Sequence, residues 1–302
     1  MIFSKNENKL VAKREVPFKL EKDLQKLVEN NLTSIFGLQF LATEVTIESY
    51  RFDSVAYSEE KKAFIIIEYK RGKNESLVDQ GYAYLYTLLN RKADFVLLYN
   101  EVTGKAKGVK DFDWTQTRII FISPQFTAYQ KNATAFINMP FELYEVKQYE
   151  GGIVSVNQII ENKAVKTEIA TTKGDDKISE VEKEVIVYTE EDSLVKGSEI
   201  TKELYSELKE RVLALGDIRI EPRKLYVAFK GKKNICDIVL SKSQVKVFIN
   251  LKAGTLKDDL KRARVVKDIG HWGNGDYEVA LKDDEDIEYI ISLIRQSYRE
   301  NG

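Results

Sequence analysis

Asp53, Glu68, Lys70 and Gln80 are the residues whose types and spacing can do chemistry together. Glu68 and Lys70 stand two apart in an apolar run, so on an extended strand they share a face. Asp53 lies one hairpin earlier, and residues facing each other on neighbouring strands come within about 5 Å at Cβ. Two carboxylates so placed repel unless a cation sits between them. That points to Mg²⁺ or Mn²⁺ as the cofactor, with Asp53 and Glu68 as ligands. Glu21 is the expected further metal ligand, direct or through water; its competing reading is a solvated first-turn carboxylate favoured by the helix dipole. Glu29 and Glu44 are weaker candidates. Lys70 would orient or help deprotonate a water, or neutralise charge building on a phosphate. Gln80 and Tyr84, one turn apart on the following helix, would steady the nucleophile or hold backbone phosphates.

Other chemistries are poorly supplied. One Cys (Cys236) among 302 residues removes an internal disulfide framework and a Cys-rich zinc site, and one His (His271) leaves little room for His-based metal binding or a Ser-His-Asp triad, so metal chemistry must run on oxygen ligands. Cys236 reads as buried packing and His271 as a structural hydrogen-bonder. The balance of 47 basic against 48 acidic residues argues against non-specific coating of nucleic acid. Split along the chain, residues 1–160 hold 21 basic and 20 acidic side chains, 161–193 hold 5 and 10, and 194–302 hold 21 and 18. Local basic stretches therefore survive the near-zero total. No leader-like or membrane-length apolar run is present, and with the lone Cys this leads to an expected cytoplasmic, non-membrane protein.

The elements that must position the site can be read from periodicity. Leu20, Leu24, Leu27, Val28 and Leu32 recur at helical spacing; Leu38–Ile47, Arg51–Tyr57 and Ala63–Lys70 read as three strands; Val78, Tyr82, Leu85 and Leu89 mark a second helix. Phe95–Tyr99 is expected to be a buried strand, Arg118–Ser123 another, and Phe141–Val156 one or two more. The order is αβββαβ. The expected division is a site-bearing domain over 1–160, an acidic linker over 161–193 with a short strand at Val185–Tyr188, and a smaller α+β domain over 194–302. In the last, Ile200–Leu215 is a helix ending at Gly216 in the C-cap position, followed by three strands, a Gly-rich loop at Gly270–Asp276 and a closing helix.

Arg51-Phe52-Asp53, Glu68-Tyr69-Lys70-Arg71 and Gln80-Gly81-Tyr82-Ala83-Tyr84, with Leu20-Glu21 and Leu24-Gln25 on the first helix, resemble the PD-(D/E)XK nuclease superfamily. The likeness is nearest to its branch of archaeal junction-resolving and mismatch-cutting endonucleases and covers about residues 15–125. It implies a restriction-endonuclease-like αβββαβ core within an α/β (α+β) chain. It also implies Mg²⁺-dependent hydrolysis of DNA phosphodiester bonds in a restriction, repair or defence setting, and a homodimer, since such small domains often work in pairs. Arg71 and Lys73, at the mouth of the expected metal site, would contact the phosphate backbone with Tyr84. The contrasting reading is a module that holds nucleic acid or a protein partner on the same fold without cutting. The last third resembles an uncharacterised domain fused to nuclease-like modules, in chains sometimes labelled as transport proteins. Its Gly270–Asp276 loop matches neither a P-loop nor a dinucleotide fingerprint and reads as a tight turn.

Overall fold

A strand with five consecutive apolar residues, Ala63–Ile67, must be covered on both faces. In the computed structural model, which describes residues 1–70, 77–134, 140–159, 176–269 and 273–302, the run Ala63–Tyr69 is buried at every position. The chain divides into two units, Met1–Val187 and Tyr188–Gly302.

The first unit opens with a hairpin, β1 (Ile2–Asn6) and β2 (Lys9–Lys13), then β3 (Glu15–Val16), α1 (Glu21–Glu29) and α2 (Leu32–Phe36). Next come β4 (Gln39–Ile47), β5 (Tyr50–Ser58), β6 (Ala63–Tyr69), α3 (Leu77–Asn90) and α4 (Lys92–Thr103). The unit ends with β7 (Arg118–Ser123), α5 (Ala128–Thr134), β8 (Phe141–Tyr149), β9 (Ile153–Ile159) and α6 (Asp176–Glu184). One sheet runs β3-β8-β7-β6-β5-β4, with β9 paired to β8. The β4–β5–β6 meander is antiparallel, and β6, β7 and β8 are parallel, with Glu68 beside Phe121. The αβββαβ order is thus present in an α+β fold. One face of the sheet, with Val55, Tyr57, Phe64 and Ile66, packs against Leu85 and Leu88 of α3 and Phe95 and Tyr99 of α4. The opposite face, with Ala56, Ile65, Ile67 and Tyr69, meets Leu24 and Val28 of α1.

Two expectations fail here. Phe95–Tyr99 is helical, inside α4, because its burial has the helical rhythm: Phe95, Val96 and Tyr99 are buried while Leu97 is 57% exposed. A five-residue apolar run satisfies either period, and the partner surface chooses. No strand forms at Val185–Tyr188. Residues 161–175 of the expected linker lie outside the described residues, but its continuation is α6, whose Val181 joins the α3–α4 core together with Val185 just past the helix end.

The second unit contains α7 (Glu190–Leu194), α8 (Glu199–Leu213), β10 (Arg219–Pro222), β11 (Val227–Lys230), β12 (Asn234–Leu240), β13 (Val245–Ile249), β14 (Arg264–Val265), β15 (Tyr277–Leu281) and α9 (Ile287–Asn301). Its sheet runs β10-β11-β12-β13-β15-β14, and Leu204 and Leu208 of α8 pack with Ile290 and Ile294 of α9 on one face. Cys236 lies fully buried on β12, as packing. Helix α8 ends at Leu213, short of Gly216. Gly216 answers a different constraint: a Cβ there would sit 1.9 Å from the Tyr298 hydroxyl. Among the described residues no helix is long and apolar enough to cross a membrane.

Candidate active site

Strand β5 carries Asp53 in step with Val55 and Tyr57, next to a break in its alternation at Phe52. Phe52 and Val55 both join the α3–α4 core although three residues apart, whereas an unbroken strand shows the same face every second residue. The ladder to β4 pairs Thr43 with Ser54 and Val45 with Phe52, passing over Glu44 and Asp53. Glu44 adopts a left-handed φ of 51°. The Asp53 carbonyl is taken instead by the Gln25 amide of α1 at 2.9 Å. The same amide nitrogen reaches Thr43 Oγ1 and Glu29 Oε1, each at 3.0 Å, and Ser54 Oγ donates to Glu29 Oε1 at 2.6 Å. This clamp locks the irregular backbone from the sheet's other face. Gln25→Leu should therefore strand a buried carbonyl and cost about 1–3 kcal/mol, seen as a lower urea midpoint; an unchanged midpoint would mean another group satisfies it.

Glu68 follows Phe64 and Ile66 on the α3 side of β6 and is only 4% exposed. Its Oε1 accepts from Lys70 Nζ at 3.1 Å and from Gln80 Nε2 at 2.9 Å. Gln80 Nε2 also donates to the Tyr84 hydroxyl at 3.0 Å, and that hydroxyl donates to the Arg51 carbonyl at 3.0 Å. Asp53 Oδ2 accepts from the Tyr69 amide at 3.0 Å. Glu68 Oε2 and Gln80 Oε1 are buried with no hydrogen-bond partner.

Burial raises the Glu68 pKa from its ordinary 4.5 to about 7, and the facing Asp53 charge adds to the shift against the pull of Lys70 and Gln80. Asp53 is also raised, by burial foremost, against the Tyr69 amide and the Lys70 and Arg51 charges. Two crowded carboxyls, an orphaned carboxylate oxygen and an orphaned amide oxygen form a donor set short of positive charge, which fits a hard divalent cation. Among the described residues no three His, Cys, Asp or Glu side chains are grouped to hold a metal.

The pH consequence has a definite sign. A carboxyl whose folded pKa is raised favours the protonated folded state, so its stabilising contribution is full below about 4.5 and is lost as pH rises through about 7. A cation competing with that proton gains as pH rises. Millimolar Mg²⁺ is expected to raise the melting temperature more at pH about 8 than at pH about 5.5, and Glu68→Gln should abolish the difference. Equal rises at both pH values in the parent chain would sink this reading.

The remaining expected residues fall in three groups. Glu21 is exposed in the first turn of α1 and is not grouped with Asp53 and Glu68 as a third ligand; Gln25, one turn further along, is the α1 residue that reaches β5. Tyr84 is buried, packed edge-on against Phe52 at 4.8 Å, and its hydroxyl holds Gln80 and the Arg51 carbonyl, so it braces the site in place of gripping phosphate from the surface. Arg71, Lys73 and Gly270–Trp272, with His271, lie outside the described residues. The Gln25–Glu29–Ser54 clamp carried a faint signal: Gln25 is a polar residue flanking the apolar stripe of α1.

An uncharacterised protein of Haemophilus influenzae is 41% identical over 300 residues, covering 99% of each chain. The chain belongs to that protein's family. A domain family of unknown function, DUF5655, matches residues 190–301, within the second unit. Among solved structures, a repair endonuclease from Pyrococcus abyssi is 19% identical over 39% of this chain and 44% of its own, with a TM-score of 0.22. EndoMS in complex with double-stranded DNA is 16% identical over 47% and 49%, with a TM-score of 0.24. SfsA of Pyrococcus furiosus in complex with Ca²⁺ is 15% identical over 46% and 62%, with a TM-score of 0.25. The chain thus spans about half to three-fifths of the length of these structures.

Proposed function

We propose that the unit Met1–Val187 is a divalent-cation-dependent nuclease that hydrolyses phosphodiester bonds in DNA. The observation that carries this reading is the buried, partnerless Glu68 Oε2 beside Asp53, with the other Glu68 oxygen already occupied by Lys70 and Gln80. Asp53 and Glu68 would hold Mg²⁺ or Mn²⁺, which when bound supplies Lewis-acid activation of the phosphoryl group and of water. Gln80 turns Glu68 so that one oxygen remains free, and its own unoccupied Oε1 can accept a hydrogen from the attacking water. Lys70, bonded to Glu68 Oε1, sets its ammonium group beside the carboxylates, where it would meet the negative charge that a scissile phosphate gains. Tyr84 and the Arg51 carbonyl set the Gln80 rotamer. DNA as the substrate rests on the resemblance of the Arg51-Phe52-Asp53 and Glu68-Tyr69-Lys70-Arg71 strands to the PD-(D/E)XK nucleases.

The test incubates the full chain with duplex, single-stranded and branched DNA, with and without Mg²⁺ or Mn²⁺. Cutting that disappears with chelator is the expected result. Binding without cutting, indifferent to chelator, would replace the enzyme with a non-catalytic module on the same fold.

A further inference from the structure

The second unit carries a cleft that the proposed hydrolysis does not use. A cavity of about 510 Å³ lies between α9 and the segment around Lys257, with Lys257, Arg295 and Arg299 on its walls. This unit has seven arginines. Five form ion pairs: Arg211 with Glu288, Arg219 and Arg223 with Glu221, Arg262 with Asp286 and Arg264 with Glu278. Among the described residues the two without a carboxylate partner are Arg295 and Arg299, and both face this one cavity.

Their placement is built in. Arg295 and Arg299 stand one turn apart on α9, on the side that also presents Ser292. Gln296 clamps the facing segment, accepting from Lys257 N at 2.9 Å and donating to Lys257 O at 2.8 Å. The neighbouring Asp258 is pinned as well, accepting from the Tyr289 hydroxyl at 2.6 Å and the Ala263 amide at 2.7 Å. The third cation therefore sits on a fixed backbone. Asp259 and Glu300 line the same cavity without pairing to these cations, and Leu251 is its one apolar side chain. All three cations are exposed, so water solvates them until an anion supplies the opposite charge. Cations and carboxylates held apart suit a ligand that bears both an anion and hydroxyl donors, and the volume falls in the range of small-ligand sites, about 300–1,000 Å³.

We propose that this cleft binds a phosphomonoester on a hydroxyl-rich body, a nucleotide or a sugar phosphate. Lys257, Arg295 and Arg299 take the phosphate oxygens by charge-assisted hydrogen bonds, and Asp259 and Glu300 accept from hydroxyl groups. The inference is independent of the reading of the first unit.

The experiment is calorimetric titration of the full chain at low salt with AMP, ribose 5-phosphate, inorganic phosphate and adenosine. AMP or ribose 5-phosphate is expected to bind saturably and more weakly as salt rises; a preference between them identifies the nucleotide or the sugar phosphate as the source. Inorganic phosphate should bind more weakly, and adenosine not at all. The double variant Arg295→Ala, Arg299→Ala, on exposed positions with an unchanged melting temperature, should lose about tenfold or more in affinity. Ser292→Tyr, which fills the cleft without altering a charge, should do the same, and Asp53→Asn should leave affinity unchanged. No saturable binding of either phosphomonoester at millimolar concentration, or affinity retained in both cleft variants, overturns the proposal.

Discussion

An Asp53→Asn chain should hold DNA and fail to cut it. Metal-dependent cleavage is expected to fall about 10²–10³-fold or more, the loss seen when one preorganised electrostatic group is removed from a transition state. Asparagine keeps an oxygen where Asp53 accepts the Tyr69 amide at 3.0 Å, so strands β5 and β6 stay in register. It removes the charge that faces Glu68, so the Glu68 pKa should drop back from about 7 toward its ordinary value. The folded state should then be no less stable at neutral pH than the parent, because two buried like charges have become one. Activity and stability thus part company, which separates a functional carboxylate from a structural one. Cleavage by the variant at the parental rate would trace the activity to a contaminant; a large fall in melting temperature would make Asp53 a structural residue.

Phe64→Ala should produce the largest loss of stability in the first unit, about 3–5 kcal/mol. Phe64 is wholly buried on β6 and stacks on Trp114 at 5.4 Å, with Phe112 at 4.9 Å and Phe95 at 5.6 Å between ring centroids. Removing its ring leaves a cavity walled by rigid aromatics on separate elements, which cannot collapse together to fill it. For a unit of this size the loss corresponds to a fall in melting temperature of roughly 10 °C. The effect should also reach the chemistry, since Phe64, Ile66 and Glu68 are successive residues on one face of β6. Calorimetry of the full chain reads both units: the expected result is a shift in one transition with the other unmoved. A fall below about 1 kcal/mol would show that the aromatic cluster relaxes around the gap.

Much of the site can be read from the chain before folding. Glu68 and Lys70 share a face by the period of any strand, and the apolar company of Phe64 and Ile66 already implies a buried carboxylate in want of a partner. The helix, the three strands and the second helix follow from local periodicity for the same reason, since a strand's alternation and a helix's stripe depend on residues only a few positions apart; the strand read next, Phe95–Tyr99, does not, and Arg118–Ser123 closes the order instead.

What tertiary structure decided depends on neighbours distant in sequence. Phe95–Tyr99 is compatible with either period, and became helix because the sheet face beneath it already held Tyr57 and Phe64. Asp53 comes opposite Glu68 by the β5–β6 register, in which Ser54 pairs with Ile67, but the β4 ladder passes over it, and it is Gln25, 28 residues away, that satisfies its carbonyl. Glu21 and Tyr84 show the limit from two sides: each has the right chemistry at a plausible position. Yet Glu21 stands in solvent at a helix end, while Tyr84 is drawn into the core by Phe52 and by the Arg51 carbonyl. The sequence by itself settled which residues are equipped for chemistry, because that is a property of side chains and short-range period. Which of them meet was settled only when the sheet closed, because strand pairing and burial are set by contacts the local pattern does not contain.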